Sequence, residues 1–155
     1  MKIRRAEAKD IPRILELLFQ VNNVHADGRP DLFIHDKTKY TAEELEEILC
    51  DPTTPVFVAV KEEYVLGYAF TQVRRTIGQN NLCDQTELYI DDICVDETCR
   101  RQGVATGLYE EVVHYAKKNV CDRITLHVWE CNPGAAAFYK KCGMIPYFYA
   151  MEQVL

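Results

Sequence analysis

No apolar stretch in this chain approaches the length of a membrane span. The longest clean run, Val56 to Val60, is five residues, against roughly 20 for a spanning helix. The basic start, Met1-Lys2-Ile3-Arg4-Arg5, is followed by neither an apolar h-region nor a small-residue cleavage site, so a secretory signal is not expected and a cytoplasmic location is. Positive charge is scarce too. Lys and Arg number 18 against 24 Asp and Glu, a net charge of −6. That sign argues against a nucleic-acid partner, which needs clustered cations, and suits a cationic substrate. The seven cysteines form no CxxC pair and no Cys/His set with zinc spacing, which leaves no expected metal and points to idle or buried thiols in a reducing compartment. Gly and Pro, 7 and 6 of 155 residues, are too few for a low-complexity chain. With no repeat and no linker, residues 1–155 read as one domain.

What is present alternates between the two regular periods. Residues 2–6 read as a strand, and Asp10 as the N-cap of a helix with Pro12 in its first turn. Ile11, Ile14, Leu15, Leu18 and Val21 share one face of that helix, and Asn22-Asn23 is read as its end. The stretch from His25 to Phe33 reads as a loop. Thr41-Ala42-Glu43-Glu44 is a capping box, predicting a helix over 41–50. β-rich runs at 56–61, 64–74 and 86–95 follow, the first two joined by a tight turn at Glu62-Glu63. Gly103 opens a third helix with Val104, Leu108, Val112, Tyr115 and Ala116 on one face. A strand at 123–129, a break at Asn132-Pro133-Gly134, a short helix at 135–142 and a last strand within 145–154 complete the chain. The order β-α-α-β-β-β-α-β-α-β predicts a mixed α/β (α+β) layer built on one sheet flanked by about four helices.

One segment carries chemistry of its own. The strand ending Ile90-Asp91-Asp92-Ile93-Cys94-Val95 feeds a basic loop, Arg100-Arg101-Gln102-Gly103-Val104-Ala105, that opens the third helix. Free main-chain N–H groups and the positive end of the helix dipole make such a junction an anion site. At Gly103 no Cβ blocks the approach of a phosphate. Neither a Gly-Lys-Ser/Thr phosphate loop nor a GxGxxG dinucleotide fingerprint is present.

These residues resemble the GNAT superfamily of N-acetyltransferases, whose hallmark is Arg/Gln-x-x-Gly-x-Gly/Ala between a central strand and a long helix. Arg100, Gly103 and Ala105 match it. A second block matches downstream: Leu126-His127-Val128, Asn132, then Ala137-Phe138-Tyr139-Lys140-Lys141-Cys142-Gly143-Met144, with Met144 where the family usually has Phe. The resemblance implies a GNAT-type fold and acetyl-CoA as co-substrate. Its pantetheine arm would lie along Ile93, Cys94 and Val95 as an added strand. Its pyrophosphate would rest on the amides of Arg101, Gln102, Gly103, Val104, Ala105 and Thr106. Asn132 would contact the arm, and a main-chain N–H of the central strand would polarise the acetyl carbonyl. Tyr139 would be the general acid at the departing sulfur.

The acceptor amine must lose a proton before it attacks, and a carboxylate can take it. Asp91 and Asp92 are adjacent on the central strand, and strict alternation lets only one face the cleft. The pair resembles the Glu-Asp of diamine (spermidine/spermine) acetyltransferases, in which the first acid is the proposed base. That favours Asp91, with Asp92 and Glu87 as the other options. His25, Asp27 and Asp31 lie where the family shapes its acceptor pocket. The expected activity is direct acetyl transfer in a ternary complex to a primary amine of a small molecule. A protein N-terminus or lysine is the second acceptor class, and a non-catalytic acyl-CoA sensor the rival of another kind. Tyr147, Phe148 and Tyr149 suit a homodimer interface and a core strand equally.

Overall fold

The computed structural model describes all residues from Met1 to Leu155. Strand β1 (Lys2–Arg5) leads through a short 3-10 turn (Ala8–Asp10) into helix α1 (Ile11–Gly28), and α2 (Ala42–Cys50) follows. Then come β2 (Val56–Lys61), β3 (Tyr64–Thr76), β4 (Gln85–Val95), a 3-10 turn (Glu97–Cys99), α3 (Val104–Lys118), β5 (Arg123–Leu126) and α4 (Pro133–Lys141). The five strands form one sheet in the order β1-β2-β3-β4-β5. Neighbours run antiparallel except β4 and β5, which are parallel and joined by the α3 crossover. This is the mixed α/β layer expected from the element order.

Alternation along the strands sorts the core onto the two faces of the sheet. Val56, Val58, Tyr68, Phe70 and Cys94 pack under Ile14, Leu17 and Leu18 of α1 and Leu45 of α2. Phe57, Ala59, Ala69, Leu88 and Ile90 pack under Val104, Leu108, Val112 and Ala116 of α3. The α2 capping box forms as read: Glu44 N–H donates to Thr41 Oγ1 at 3.2 Å, and Thr41 N–H to Glu44 Oε2 at 2.8 Å. The hairpin turn is made by Glu62 and Glu63, both at positive φ.

Three expectations change. Helix α1 does not stop at Asn22-Asn23 but runs to Gly28. Both amides are used across space: Asn22 Nδ2 donates to the Ile34 carbonyl at 2.7 Å, and Asn23 Oδ1 accepts from Asp36 N–H at 2.9 Å. Asp10 sits at the α1 cap position without a side-chain cap bond. Its carboxylate instead takes a two-pronged bond from the Arg4 guanidinium at 2.7 and 2.9 Å and one from Glu7 N–H. The expected last strand within 145–154 does not form. Residues 142–155 carry no helix or strand, and Ile145, Tyr147, Tyr149, Met151 and Val154 are exposed. β5 pairs with β4 only from Arg123 to Leu126 and takes no second neighbour.

Candidate active site

The loop from β4 into α3 carries a run of unused donors. No main-chain N–H from Arg100 through Thr106 donates to any acceptor in the chain, and the first bonded amide is that of Gly107, to the Gly103 carbonyl at 2.9 Å. Arg101 (φ 63°) and Gly103 (φ 81°) both take the left-handed conformation, the kind of backbone turn that in general gathers successive N–H groups around an anion. A Cβ built on Gly103 would meet nothing within 4 Å, so the chain's own atoms leave the loop open there. Arg100, Arg101 and Gln102 are exposed on it. A run of main-chain donors open to solvent and without partners in the chain, at the positive end of a helix, suits an anionic ligand. The residues therefore fit a diphosphate.

Two side chains of α1 hold the start of this loop. Arg13 forms an ion pair with the buried Asp96, whose other oxygen accepts from Thr98 N–H at 2.8 Å and Thr98 Oγ1 at 2.6 Å. Gln20 donates to the Val95 carbonyl at 3.0 Å and accepts from Glu97 N–H at 3.1 Å. Neither residue stands in a recognisable motif; each is an ordinary polar position of an amphipathic helix, and only the tertiary approach of α1 to the end of β4 reveals its part.

Between Ile90 and Val95 the central strand is unusual twice over. Pairing with β5 stops at Ile90 opposite Leu126, so the β4 edge over Ile93, Cys94 and Val95 has no strand beside it, as an added pantetheine arm requires. On the other side the register slips: Phe70 faces Asp92 and Thr71 faces Ile90, so Asp91 is the extra residue of a β-bulge. The bulge overturns the expectation that only one of the two aspartates can face the cleft. Asp91 and Asp92 both line it, on the α1/α2 side of the sheet.

The two acids are placed in different surroundings. Asp91 is held by Lys39, whose Nζ lies 2.8 and 2.6 Å from its two oxygens, and by the Tyr40 hydroxyl at 3.2 Å. Asp92 accepts from the fully buried Tyr68 hydroxyl at 2.7 Å. Burial pushes its carboxyl up to about 6, against the pull of the Tyr68 bond, with the charge of Asp91 adding to the rise. Asp92 is thus the acid that changes protonation near neutral pH, and Asp91 is committed to Lys39.

The cleft encloses about 420 Å³ and brings these carboxylates to Tyr139 and Asn132 of α4, and to His25, Phe33 and Trp129. The Tyr139 hydroxyl makes no hydrogen bond within the chain. Burial raises its pKa, and the nearby charge of Asp92 raises it further, so it is a proton donor at neutral pH. Asn132 uses its side-chain oxygen to cap α4, accepting from Ala135 N–H at 3.1 Å, and this leaves its amide N–H groups free. His25 stacks on Phe33 at 5.1 Å between ring centres, and Phe33 meets Trp129 edge-on at 5.3 Å. His25 is held below its usual pKa by burial and by the charge of Lys39, so it stays neutral.

Several expected site residues lie elsewhere. Asp27 is on the exposed side of α1, 3.4 Å from His35 Nε2, because the helix runs on through it. Asp31 is tied to Arg29 by bonds of 2.9 and 2.7 Å outside the cleft. Glu87 is not part of the cleft lining and stands opposite Arg74 on β3 and Arg123 on β5. His127, read as part of a strand, follows the end of β5 instead; it lines the cleft and packs between the rings of Tyr89 and Phe148. All seven cysteines are free thiols. The Cys94 side chain turns under α1, where burial pushes its thiol up to about 12, so only its main chain faces the cleft edge. Lys39, Tyr40 and Tyr68 were not legible as site residues, since no motif contains them.

This sheet, with its splayed β4–β5 edge, bulged acid pair and anion loop, defines an acetyltransferase-type fold. Residues 4–144 match the model of the Acetyltransferase (GNAT) family, and the chain belongs to that family. A stretch of 65 residues is 38% identical to "Probable N-acetyltransferase san" of Drosophila melanogaster, covering 41% of this chain and 35% of that protein, about a third of the relative's own length. A mutant of the BH1408 protein from Bacillus halodurans superposes with a TM-score of 0.96 at 29% identity over 100% of this chain and 99% of its own. The aminoglycoside N-acetyltransferase AAC(6')-Iy, solved in complex with CoA, shares the fold at a TM-score of 0.75 and 16% identity, covering 99% of this chain and 98% of its own.

Proposed function

We propose that this chain transfers an acetyl group from acetyl-CoA to a primary amine of a small molecule, directly, within a ternary complex. Family membership supports the co-substrate, and the open run of amides from Arg100 to Thr106 fits its diphosphate. Acetyl-CoA supplies an acyl group already activated on sulfur, so the chain needs no nucleophile of its own.

The observation that carries the reading is the meeting of Asp92 and Tyr139 in one cleft with opposite proton tasks. An alkylamine with a pKa near 10.4 stands about 5 kcal/mol from its free base at neutral pH. Asp92, with its pKa near 6, is ionised at pH 7 and takes that proton, directly or through one water. Tyr139 gives its proton to the thiolate sulfur as it leaves, a task suited to a hydroxyl that no protein group occupies. Gln20 and Arg13 keep the loop and the β4 edge in place. Asp92 replaces Asp91 as the favoured base because Lys39 already holds Asp91.

The test is release of free thiol from acetyl-CoA in the presence of diverse primary amines, with peptides as a parallel set. Release above hydrolysis with small amines and silence on peptides is the expected result. Release with peptides alone would move the acceptor to proteins, and silence throughout would make the chain an acyl-CoA-binding module.

A further inference from the structure

Lys39 stands out as a cation inside a cleft whose supposed guest is also a cation. Its Nζ contacts both oxygens of Asp91 and lies over the Tyr40 ring, 5.3 Å from the ring centre. A substrate ammonium at Asp91 would make the same contacts. At the cleft mouth Arg29, 5.9 Å from the Trp129 ring centre, is likewise paired, with Asp31 and with Glu152 at 2.7 Å each. Each of these cations is therefore already paired within the chain, while Asp92 in the wall has a hydroxyl partner but no cation within ion-pair distance.

Most of the rest of the wall is apolar or aromatic, with the amides of Asn22 and Asn132 set into it. Leu18 and Val21 of α1 continue the ring cluster of His25, Phe33 and Trp129. Rings meeting at 5.1 to 5.3 Å present faces and edges suited to a flat hydrophobic body. A flexible chain with several charges would find one anion and then apolar surface, and would lose hydration there without compensation.

Building on the acetyltransferase reading above, we propose that Lys39 is a specificity determinant: by occupying Asp91 it directs the site to amines with one positive charge and an apolar, planar body, and turns away di- and polyamines. This departs from the diamine-type acceptor suggested by the Asp91-Asp92 sequence. Discrimination is gained by removing an attraction that the wrong substrate would use.

The experiment compares kcat/KM for 2-phenylethylamine and 1,4-diaminobutane by thiol release from acetyl-CoA. The intact protein is expected to favour the aromatic monoamine by at least about tenfold. Lys39→Met frees Asp91 while keeping the apolar stem, and should shrink that ratio by about five- to tenfold. Lys39→Arg keeps the charge and should preserve it. Lys39 is more than half exposed, so folding is not at stake, and Lys39→Gln serves as a second neutral variant. A preference for the diamine in the intact protein, or a ratio unmoved in both neutral variants, overturns the role of Lys39 and leaves acetyl transfer standing. Silence with every amine tested overturns the acetyltransferase reading itself.

Discussion

Below pH 6 the rate of amine acetylation should fall with a slope of one, and above 6 it should level off. Asp92 takes its proton from the bound ammonium, and an alkylamine stays protonated throughout the range below about 10, so the pH dependence of kcat/KM is that of the Asp92 carboxyl, which sits near 6. About nine-tenths of it is ionised at pH 7 and about one-tenth at pH 5 by simple titration. Between these pH values kcat/KM should therefore fall roughly tenfold. Asp92→Asn removes the break at 6 and leaves attack to amine that has lost its proton to solvent, so log kcat/KM should rise with a slope of one throughout, with the value at pH 7 lowered by about 10²- to 10⁴-fold, the usual worth of a positioned base. Thiol release at saturating acetyl-CoA from pH 5 to 9 measures both. A profile with no break near 6 refutes the reasoning. So does a profile in which Asp91→Asn, and not Asp92→Asn, abolishes the break.

Three further outcomes follow from the same site. Between about pH 4 and 6 the folded chain keeps a proton on Asp92 that the unfolded chain has released, so this group's contribution to stability falls as pH rises through that window. Holding the carboxyl near 6 rather than 3.8 costs up to about 3 kcal/mol at neutral pH, less for the part that opens on water. Asp92→Asn, which still offers Tyr68 an acceptor, should therefore melt at a higher temperature than the parent at pH 7, and a lower melting temperature would count against the burial account. Tyr139→Phe should lower kcat by one to several powers of ten with coenzyme A affinity near unchanged by calorimetry; an unchanged kcat would return Tyr139 to a packing role. Gly103→Ala forces a Cβ onto a residue at φ 81°, a cost of about 1 to 2 kcal/mol. The loop that fits the diphosphate is strained by it, and coenzyme A binding should weaken by about tenfold in a titration.

How much of this was readable beforehand depends on whether the cause is local. The capping box at Thr41–Glu44 and the unused amides after Arg100 arise from neighbours in sequence, and both were visible there. Helix α1 was cut short because Asn22 and Asn23 look like a stop signal, yet their side chains serve the loop at Ile34 and Asp36, twelve and thirteen residues on. The bulge at Asp91 comes from an offset between β3 and β4, and no pattern within β4 announces it. Strict alternation therefore gave the wrong account of the acid pair. Residues 145–154 have the composition of a strand, but composition does not supply pairing: the outer edge of β5 is free and these residues do not add to it. Lys39 lies in a polar connection and reaches Asp91, fifty-two residues later, only through the fold.

Amide hydrogen exchange with and without coenzyme A tests the central claim most directly. If the N–H groups from Arg100 to Thr106 grip the diphosphate, they exchange freely in the unliganded chain and become the most strongly slowed amides once coenzyme A is bound. Coenzyme A that binds without slowing them, or that does not bind at all, contradicts the account.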